Sequence, residues 1–223
     1  MDITKYKLVL MFHNLNNNPK SKYDFKWNRF KNYILILNYL FKLVNKKIEN
    51  KILVTFDDGY YSSMVAARYL QKYYKINSIV FISTNNLDKK GYLKKDQIKN
   101  KNHNIFIGSH GMNHISLGKH LNSKKIYTEL YESQKTLSTV CNININKLSF
   151  PNGIYCNKSL RIARELNFNY IFTSKRASNR RIQKDKTINR FVITKNTNLL
   201  LIIIAYTGLL DEVQTLKNRI YPQ

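Results

Sequence analysis

The stretch Lys51-Ile52-Leu53-Val54-Thr55-Phe56-Asp57-Asp58-Gly59 is a short apolar run that ends in two adjacent aspartates and a glycine. Runs of this kind, which hardly alternate with polar residues, are typical of strands buried on both faces of a parallel sheet. Active sites of parallel α/β folds lie at the carboxyl ends of the strands. The two aspartates are therefore candidates for the functional edge of the fold.

Six similar runs predict further strands, at residues 7–12, 78–83, 104–107, 147–150, 169–173 and 188–194. Between the strands, apolar residues recur at helical spacing over residues 30–44, 126–140, 157–166 and 209–220. Strands that alternate with helices indicate βα units. Seven strands in 223 residues favour an α/β fold with a distorted or incomplete (β/α) barrel of parallel strands. We expect a single domain over residues 1–223, with a C-terminal helical segment over residues 194–223.

The chain is strongly basic, with 38 Lys and Arg against 13 Asp and Glu and a formal net charge of +25. Lysines outnumber arginines 29 to 9 and form no block of like charges. Proteins that bind phosphate through bidentate contacts rely mainly on arginine, so nucleic-acid binding is the least favoured function. A basic surface instead predicts attraction to an anionic sugar carrier or to an anionic membrane face.

Targeting signals are not visible in the sequence. No charged N-terminal region followed by an apolar segment and a small-residue cleavage site is present. The apolar run over residues 199–210 is shorter than the roughly 20 residues that cross a bilayer. Two cysteines are too few for a disulfide framework. We therefore expect a soluble cytoplasmic protein whose basic surface allows association with membranes.

Polar side chains follow four of the predicted strands, at the point where each strand ends. Because these ends meet at one edge of a parallel barrel, we expect the residues to share a rim. They are His13, Asp57, Asp58, His110, His114 and the turn Pro151-Asn152-Gly153.

The two histidines at positions 110 and 114 have the spacing of a chelating pair, because residues four apart lie on one face of a helical turn. Side chains at adjacent extended positions diverge, so Asp57 and Asp58 can serve different partners. One of them would complete a site of two histidines and one aspartate, while the other stands free beside it. Three protein ligands with an open position are typical of a catalytic metal site. His120 is a weaker alternative ligand.

Three motifs resemble those of the polysaccharide deacetylases of carbohydrate esterase family 4. They are Thr55-Phe56-Asp57-Asp58-Gly59, then Gly108-Ser109-His110-Gly111-Met112-Asn113-His114, then Phe150-Pro151-Asn152-Gly153. The resemblance spans roughly residues 7–194. It implies a distorted (β/α) barrel and metal-dependent hydrolysis of acetyl groups on an N-acetylated sugar.

The resemblance also implies a role for each motif residue. Asp57 would be the general base that takes a proton from the attacking water. A backbone N–H of the Pro151-Asn152-Gly153 turn, that of Asn152, would stabilise the tetrahedral oxyanion. A divalent metal, most often zinc, would be bound by three ligands: Asp58, His110 and His114.

The sequence departs from the commoner family pattern in two places. Many members carry the general acid in a C-terminal Leu-x-His motif, whereas this chain has no histidine after His120. A subgroup that acts on exported poly-N-acetylglucosamine has its acid histidine after the first strand, and Phe12-His13 resembles that arrangement, so we predict His13 as the acid. An arginine that orients the catalytic aspartate is missing before the third motif. Arg190 is a candidate substitute, and the absence of any substitute is the alternative.

The sequence thus predicts a metal-dependent deacetylase of an N-acetylated sugar or polysaccharide precursor, with a nucleotide- or lipid-linked sugar as the expected substrate. A deacetylase-like domain that binds carbohydrate without turnover is the alternative, because of the missing arginine and C-terminal histidine. A basic nucleic-acid-binding protein is the weakest of the three hypotheses.

Overall fold

All seven predicted strands form, and two very short strands accompany them. The computed structural model describes residues 3, 5–99, 104–175, 177–179 and 187–209. In chain order the strands are β1 (Leu8–Phe12), β2 (Leu15–Asn16), β3 (Phe25–Lys26), β4 (Ile52–Phe56), β5 (Ser78–Ile82), β6 (Ile105–Ser109), β7 (Lys147–Ser149), β8 (Tyr170–Phe172) and β9 (Phe191–Val192).

Five helices connect or flank the strands. They are α1 (Trp27–Leu43), α2 (Tyr61–Tyr74), α3 (Ser123–Cys141), α4 (Asn157–Glu165) and α5 (Leu199–Thr207). The predictions of α1, α3 and α4 are confirmed. The helix predicted over residues 209–220 lies outside the described residues from residue 210 onward, so the prediction of a helical segment over 194–223 is tested only as far as α5.

The main sheet is a curled, parallel, seven-stranded sheet, which confirms the predicted α/β distorted barrel. Its strands are ordered β8-β7-β6-β5-β4-β1-β9, and every neighbouring pair is parallel. Ile188 bridges Phe172 at one edge, and β9 a few residues later pairs with β1 at the other edge. The segment 187–194 therefore contacts both ends of the sheet and draws it into a barrel.

The two faces of the sheet pack into two apolar clusters. Alternate residues of β4, such as Val54 and Phe56, belong to the larger cluster, which the helices cover. Leu53 points the other way and joins a smaller cluster that contains no helix residue and fills the barrel interior. Because side chains alternate along a strand, the positions after Leu53 on the interior side are Thr55 and Asp57. The alternation therefore directs Asp57 into the mouth of the barrel.

Gly108 in β6 is required by close packing inside the barrel. A Cβ atom at this position would lie 2.5 Å from ring carbons of Phe81, which real carbon contacts do not allow. Two residues further along, the same alternation brings His110 to the interior side of the strand end. The glycine thus lets the large Phe81 ring fill the barrel beneath the site.

The apolar run after residue 199 forms the nine-residue helix α5. Within the part of the chain that the structure describes, no helix combines the length and the apolar character needed to cross a bilayer.

Candidate active site

Three of the predicted site residues converge at the mouth of the barrel. Asp58 follows β4, and His110 and His114 follow β6, two strands away in the sheet. Asp58 Oδ1 lies 3.1 Å from His114 Nε2 and 3.5 Å from His110 Nε2. The ligand atoms of all three residues lie within 4.8 Å of one another. The strand ends therefore bring two imidazoles and one carboxylate to a common point.

This donor set fits a divalent metal such as zinc. Asp58 Oδ1 is buried and makes no hydrogen bond among the described residues, although a carboxylate oxygen ordinarily does. Two imidazole nitrogens and one carboxylate oxygen are typical zinc ligands, and three of them leave a coordination position open. A metal ion between these atoms would satisfy the buried oxygen.

His110 is held as a neutral ligand by its surroundings. Its Nδ1 lies 2.8 Å from the carbonyl oxygen of Ser149, which only accepts hydrogen bonds, so Nδ1 carries the proton. The free lone pair is then on Nε2, which faces Asp58. Burial lowers the pKa of His110, which favours the neutral imidazole that a metal requires.

Asp58 and His114 both adopt left-handed backbone conformations, with φ of 73° and 57°. Such conformations are uncommon for residues other than glycine and persist where the surrounding structure enforces them. The Asp58 carboxylate raises the pKa of the His114 imidazole. For Asp58 itself, burial raises the pKa, but His114 and His110 together lower it below its ordinary value. Asp58 is therefore ionised at neutral pH.

Asp57 is paired with a buried arginine. Arg190 Nη1 lies 2.6 Å from Asp57 Oδ1 and Arg190 Nη2 lies 2.8 Å from Asp57 Oδ2. Ser149 Oγ donates to Asp57 Oδ2 at 3.1 Å and accepts from Arg190 Nη2 at 2.7 Å. Burial acts to raise the pKa of Asp57, but the charge and hydrogen bonds of the Arg190 guanidinium hold it well below its usual range. Asp57 is thus a fixed, ionised carboxylate.

Arg190 pairs with Asp57 in a chain that lacks the arginine before the third motif. Its side chain is fully buried, and its Nε donates to the carbonyl oxygen of Thr173 at 2.9 Å. It reaches Asp57 from the segment between β8 and β9, which is 133 residues after the first motif in sequence. The structure therefore places the candidate substitute on the aspartate, and the alternative of no substitute is wrong.

His13 lies directly after β1 at the same end of the barrel. Its ring is 4.7 Å from the Tyr23 ring, at an interplanar angle of 32°, and its Nδ1 is buried without a hydrogen-bond partner in the described part of the chain. The backbone N–H of Asp57 donates to the carbonyl oxygen of Phe12 at 2.9 Å, so His13 follows β1 next to the end of β4. His13 therefore lies beside the strand end that carries Asp57 and Asp58.

The turn Pro151–Gly153 follows β7 and lies against the loop that carries the histidines. A Cβ atom at Gly111 would be 3.4 Å from Pro151 Cγ. Asn152 is exposed with φ of 58°, and its side-chain Nδ2 donates to Ser116 Oγ at 3.1 Å. His120 is exposed and does not belong to the group of convergent ligands. The predicted turn thus borders the site, whereas the alternative ligand does not.

Comparison with known proteins gives the family of this chain. A family model described as polysaccharide deacetylase matches residues 45–171, more than half of the chain. The chain belongs to the polysaccharide deacetylase family. The matched range contains the three convergent ligands and the turn after β7, and His13 and Arg190 lie outside it.

Individual proteins are similar to this chain in sequence or in fold. The Bacillus subtilis protein YxkH is 25% identical over 172 residues, which cover 72% of this chain and 61% of YxkH. Two solved structures, deacetylase PplD of Streptococcus pyogenes in complex with acetate and IcaB of Ammonifex degensii, are each 17% identical, with TM-scores of 0.76 and 0.71. The first match covers 90% of this chain and 97% of PplD, and the second 91% and 98%. At these identities the likeness shows the fold alone.

Proposed function

We propose that this chain is a metal-dependent hydrolase that removes the acetyl group from an N-acetylated sugar. The observation that carries this proposal is a fixed, ionised carboxylate beside a three-ligand site. Asp57 Oδ2 lies 3.8 Å from His110 Nε2. Family membership supports a deacetylase, and the geometry supports hydrolysis in which water is the nucleophile.

Asp58, His110 and His114 would hold the metal ion. When bound, a divalent ion such as zinc lowers the pKa of a coordinated water towards 7 and polarises the carbonyl of the acetyl group. Asp57 and His13 follow β4 and β1, at the same end of the barrel as these three ligands. The cofactor of this proposal is therefore a divalent metal, with zinc favoured by the two imidazole ligands.

Asp57 would act as the general base. Its carboxylate is ionised at neutral pH and cannot rotate freely, because Arg190 binds both of its oxygens. The carboxylate would take the proton from the attacking water as the bond to the carbonyl carbon forms. Arg190 would keep the acceptor oxygen in position.

His13 and the Pro151–Gly153 turn would act on the other atoms of the amide. The backbone N–H of Asn152 would donate to the oxyanion as the carbonyl carbon becomes tetrahedral. The amine has to leave protonated, and His13 would supply that proton as the general acid. The contact of the His13 ring with the Tyr23 ring supports a fixed orientation of the imidazole.

The net charge of +25 bears on the form of the substrate. A basic surface attracts anionic molecules over a distance of about the Debye length, ~8 Å at physiological salt. A sugar linked to a nucleotide or a lipid phosphate would therefore be favoured over a neutral polymer.

We also propose that residues 1–223 act as one catalytic domain.

Metal removal tests the proposed function. The metal-replete chain is expected to release acetate from N-acetylated sugars, and a chelator is expected to abolish that release until zinc is restored. Acetate release and zinc content are measured on the same samples. Equal rates with and without metal would contradict the metal dependence. Binding of sugar without acetate at every metal loading would favour the carbohydrate-binding alternative.

Replacement of His13 by Ala tests the assignment of the general acid. We expect acetate release to fall at least tenfold, which corresponds to about 1.4 kcal/mol of activation free energy. The matched control is His120→Ala, which removes an exposed histidine outside the site and should leave the rate unchanged. A loss below tenfold for His13→Ala would exclude His13 as the acid.

A further inference from the structure

Glu129 is a buried carboxylate in α3 for which the proposed reaction has no use. Its side chain is fully buried, and Lys125 Nζ, one helical turn away and about half exposed, is 3.5 Å from Glu129 Oε1. Burying a carboxylate is unfavourable unless hydrogen bonds compensate for the lost water. The groups that bind Glu129 therefore indicate what it does.

Both oxygens of Glu129 accept hydrogen bonds from the loop that carries the histidines. Asn113 donates its backbone N–H to Oε2 at 2.9 Å and its side-chain Nδ2 to Oε1 at 2.5 Å. Asn113 directly precedes His114, so the carboxylate is one residue away from a proposed metal ligand. A Cβ atom at Gly111 would lie 3.7 Å from Oε2, which shows that the loop packs directly on this carboxylate.

The opposite side of the same loop is held by the segment after β5. The backbone N–H groups of Thr84 and Asn85 donate to the carbonyl oxygens of Gly111 and Met112, at 3.2 and 3.0 Å. The loop's acceptors thus bind residues 84 and 85, while its donors at Asn113 bind Glu129. Each of the three residues between the histidines is tied to a neighbouring element.

The backbone of His114 needs such support. Its φ of 57° is unfavourable for a histidine and persists only when the surrounding structure enforces it. That conformation brings His114 Nε2 to 3.1 Å from Asp58 Oδ1. A relaxed loop would move this imidazole away from the other two ligands.

We infer that Glu129 is a positioning residue for the metal site, which holds the loop 111–113 so that His114 meets Asp58 and His110. This inference rests on the proposed function, because it concerns affinity for the proposed metal. Partners beyond the direct ligands typically change metal affinity by about 10–100-fold. Glu129 acts through the backbone and side chain of Asn113 and touches neither the metal position nor the substrate.

Zinc binding by full-length variants tests the inference. We expect Glu129→Ala to weaken zinc binding about 10–100-fold in a direct titration, and to alter the visible spectrum of bound Co(II), which reports ligand geometry. Glu129→Gln should fall between Ala and the unchanged chain, because its side-chain oxygen accepts one bond while its NH₂ group opposes the second donor.

The control variant is Leu130→Ala, on the next residue of α3 and also fully buried. It should lower the melting temperature by creating a cavity, and leave zinc affinity and the Co(II) spectrum unchanged. Unchanged zinc affinity and spectrum in Glu129→Ala would overturn the inference, and so would an equal loss of affinity in Leu130→Ala.

Failure of the proposed function is distinguishable from failure of this inference. An unsubstituted chain that binds zinc but releases no acetate would overturn the activity and leave the role of Glu129 standing, provided the variants lose affinity as expected. An unsubstituted chain that binds neither zinc nor Co(II) would overturn the metal proposal and the role of Glu129 with it.

Discussion

Replacement of Asp57 by Asn is expected to lower the rate of acetate release by about 10²–10⁴-fold, the usual contribution of a general base. An amide cannot take the proton of the attacking water. The substitution also disturbs the pair with Arg190, because the new NH₂ group faces a guanidinium that only donates hydrogen bonds. Rates, zinc affinity and melting temperature are measured on the same preparation.

Zinc binding separates the loss of the base from the loss of the site in this experiment. Asp58, His110 and His114 are unchanged in Asp57→Asn, so the zinc affinity should remain within a few-fold of the original. The matched control is Asp88→Asn, which makes the same chemical change in an exposed pair with Lys95. Exposed ion pairs contribute little to the free energy of unfolding, so the rate of acetate release and the melting temperature should remain unchanged. Turnover by Asp57→Asn at the original rate would refute the assignment of the base.

The sequence predicted those parts of the fold that depend on local patterns. Strands buried on both faces appear as continuous apolar runs, and α1, α3 and α4 show a clear 3.6-residue period. Helix α2 was missed because its buried face is made largely of small residues such as Ser63, Ala66 and Ala67, which give little hydrophobic contrast. Helix α5 lies within the segment 194–223 that was predicted to be helical, but its bounds were not predicted because it is apolar on all sides and so has no period.

The candidate site, like the fold, depends partly on local sequence patterns and partly on contacts between residues that are distant in sequence. The carboxylates and histidines stand at strand ends, where topology alone predicts that they meet. The partners that fix them are set by tertiary packing. Arg190 is 133 residues from Asp57 in sequence, and Glu129 is 16 residues from Asn113 on a different element. No spacing rule connects such pairs, so sequence offered Arg190 only as one of two alternatives and did not suggest Glu129.

Replacement of Arg190 by Met is expected to destabilise the fold by about 3–5 kcal/mol, the usual effect of leaving one member of a buried ion pair alone. The pair is fully buried, and the guanidinium also binds Thr173 O and Ser149 Oγ. The variant Asp57→Asn/Arg190→Met removes both charges, so it should be more stable than Arg190→Met alone. Denaturant unfolding of the single and double variants measures both differences.

The pH dependence gives this prediction a definite sign. Burial raises the pKa of Asp57, but Arg190 lowers it by more, so the folded pKa is below the ordinary value. The pair therefore stabilises the fold above the ordinary aspartate pKa. That stabilisation is lost as the pH falls towards the folded pKa. The stability difference between the original chain and Arg190→Met should therefore be large at neutral pH and shrink in acid. In the variant, burial raises the pKa of Asp57 unopposed by Arg190, so the acidic limb of the rate profile should move to higher pH. A stability difference that does not depend on pH would show that Arg190 supports the fold by packing rather than by its charge on Asp57.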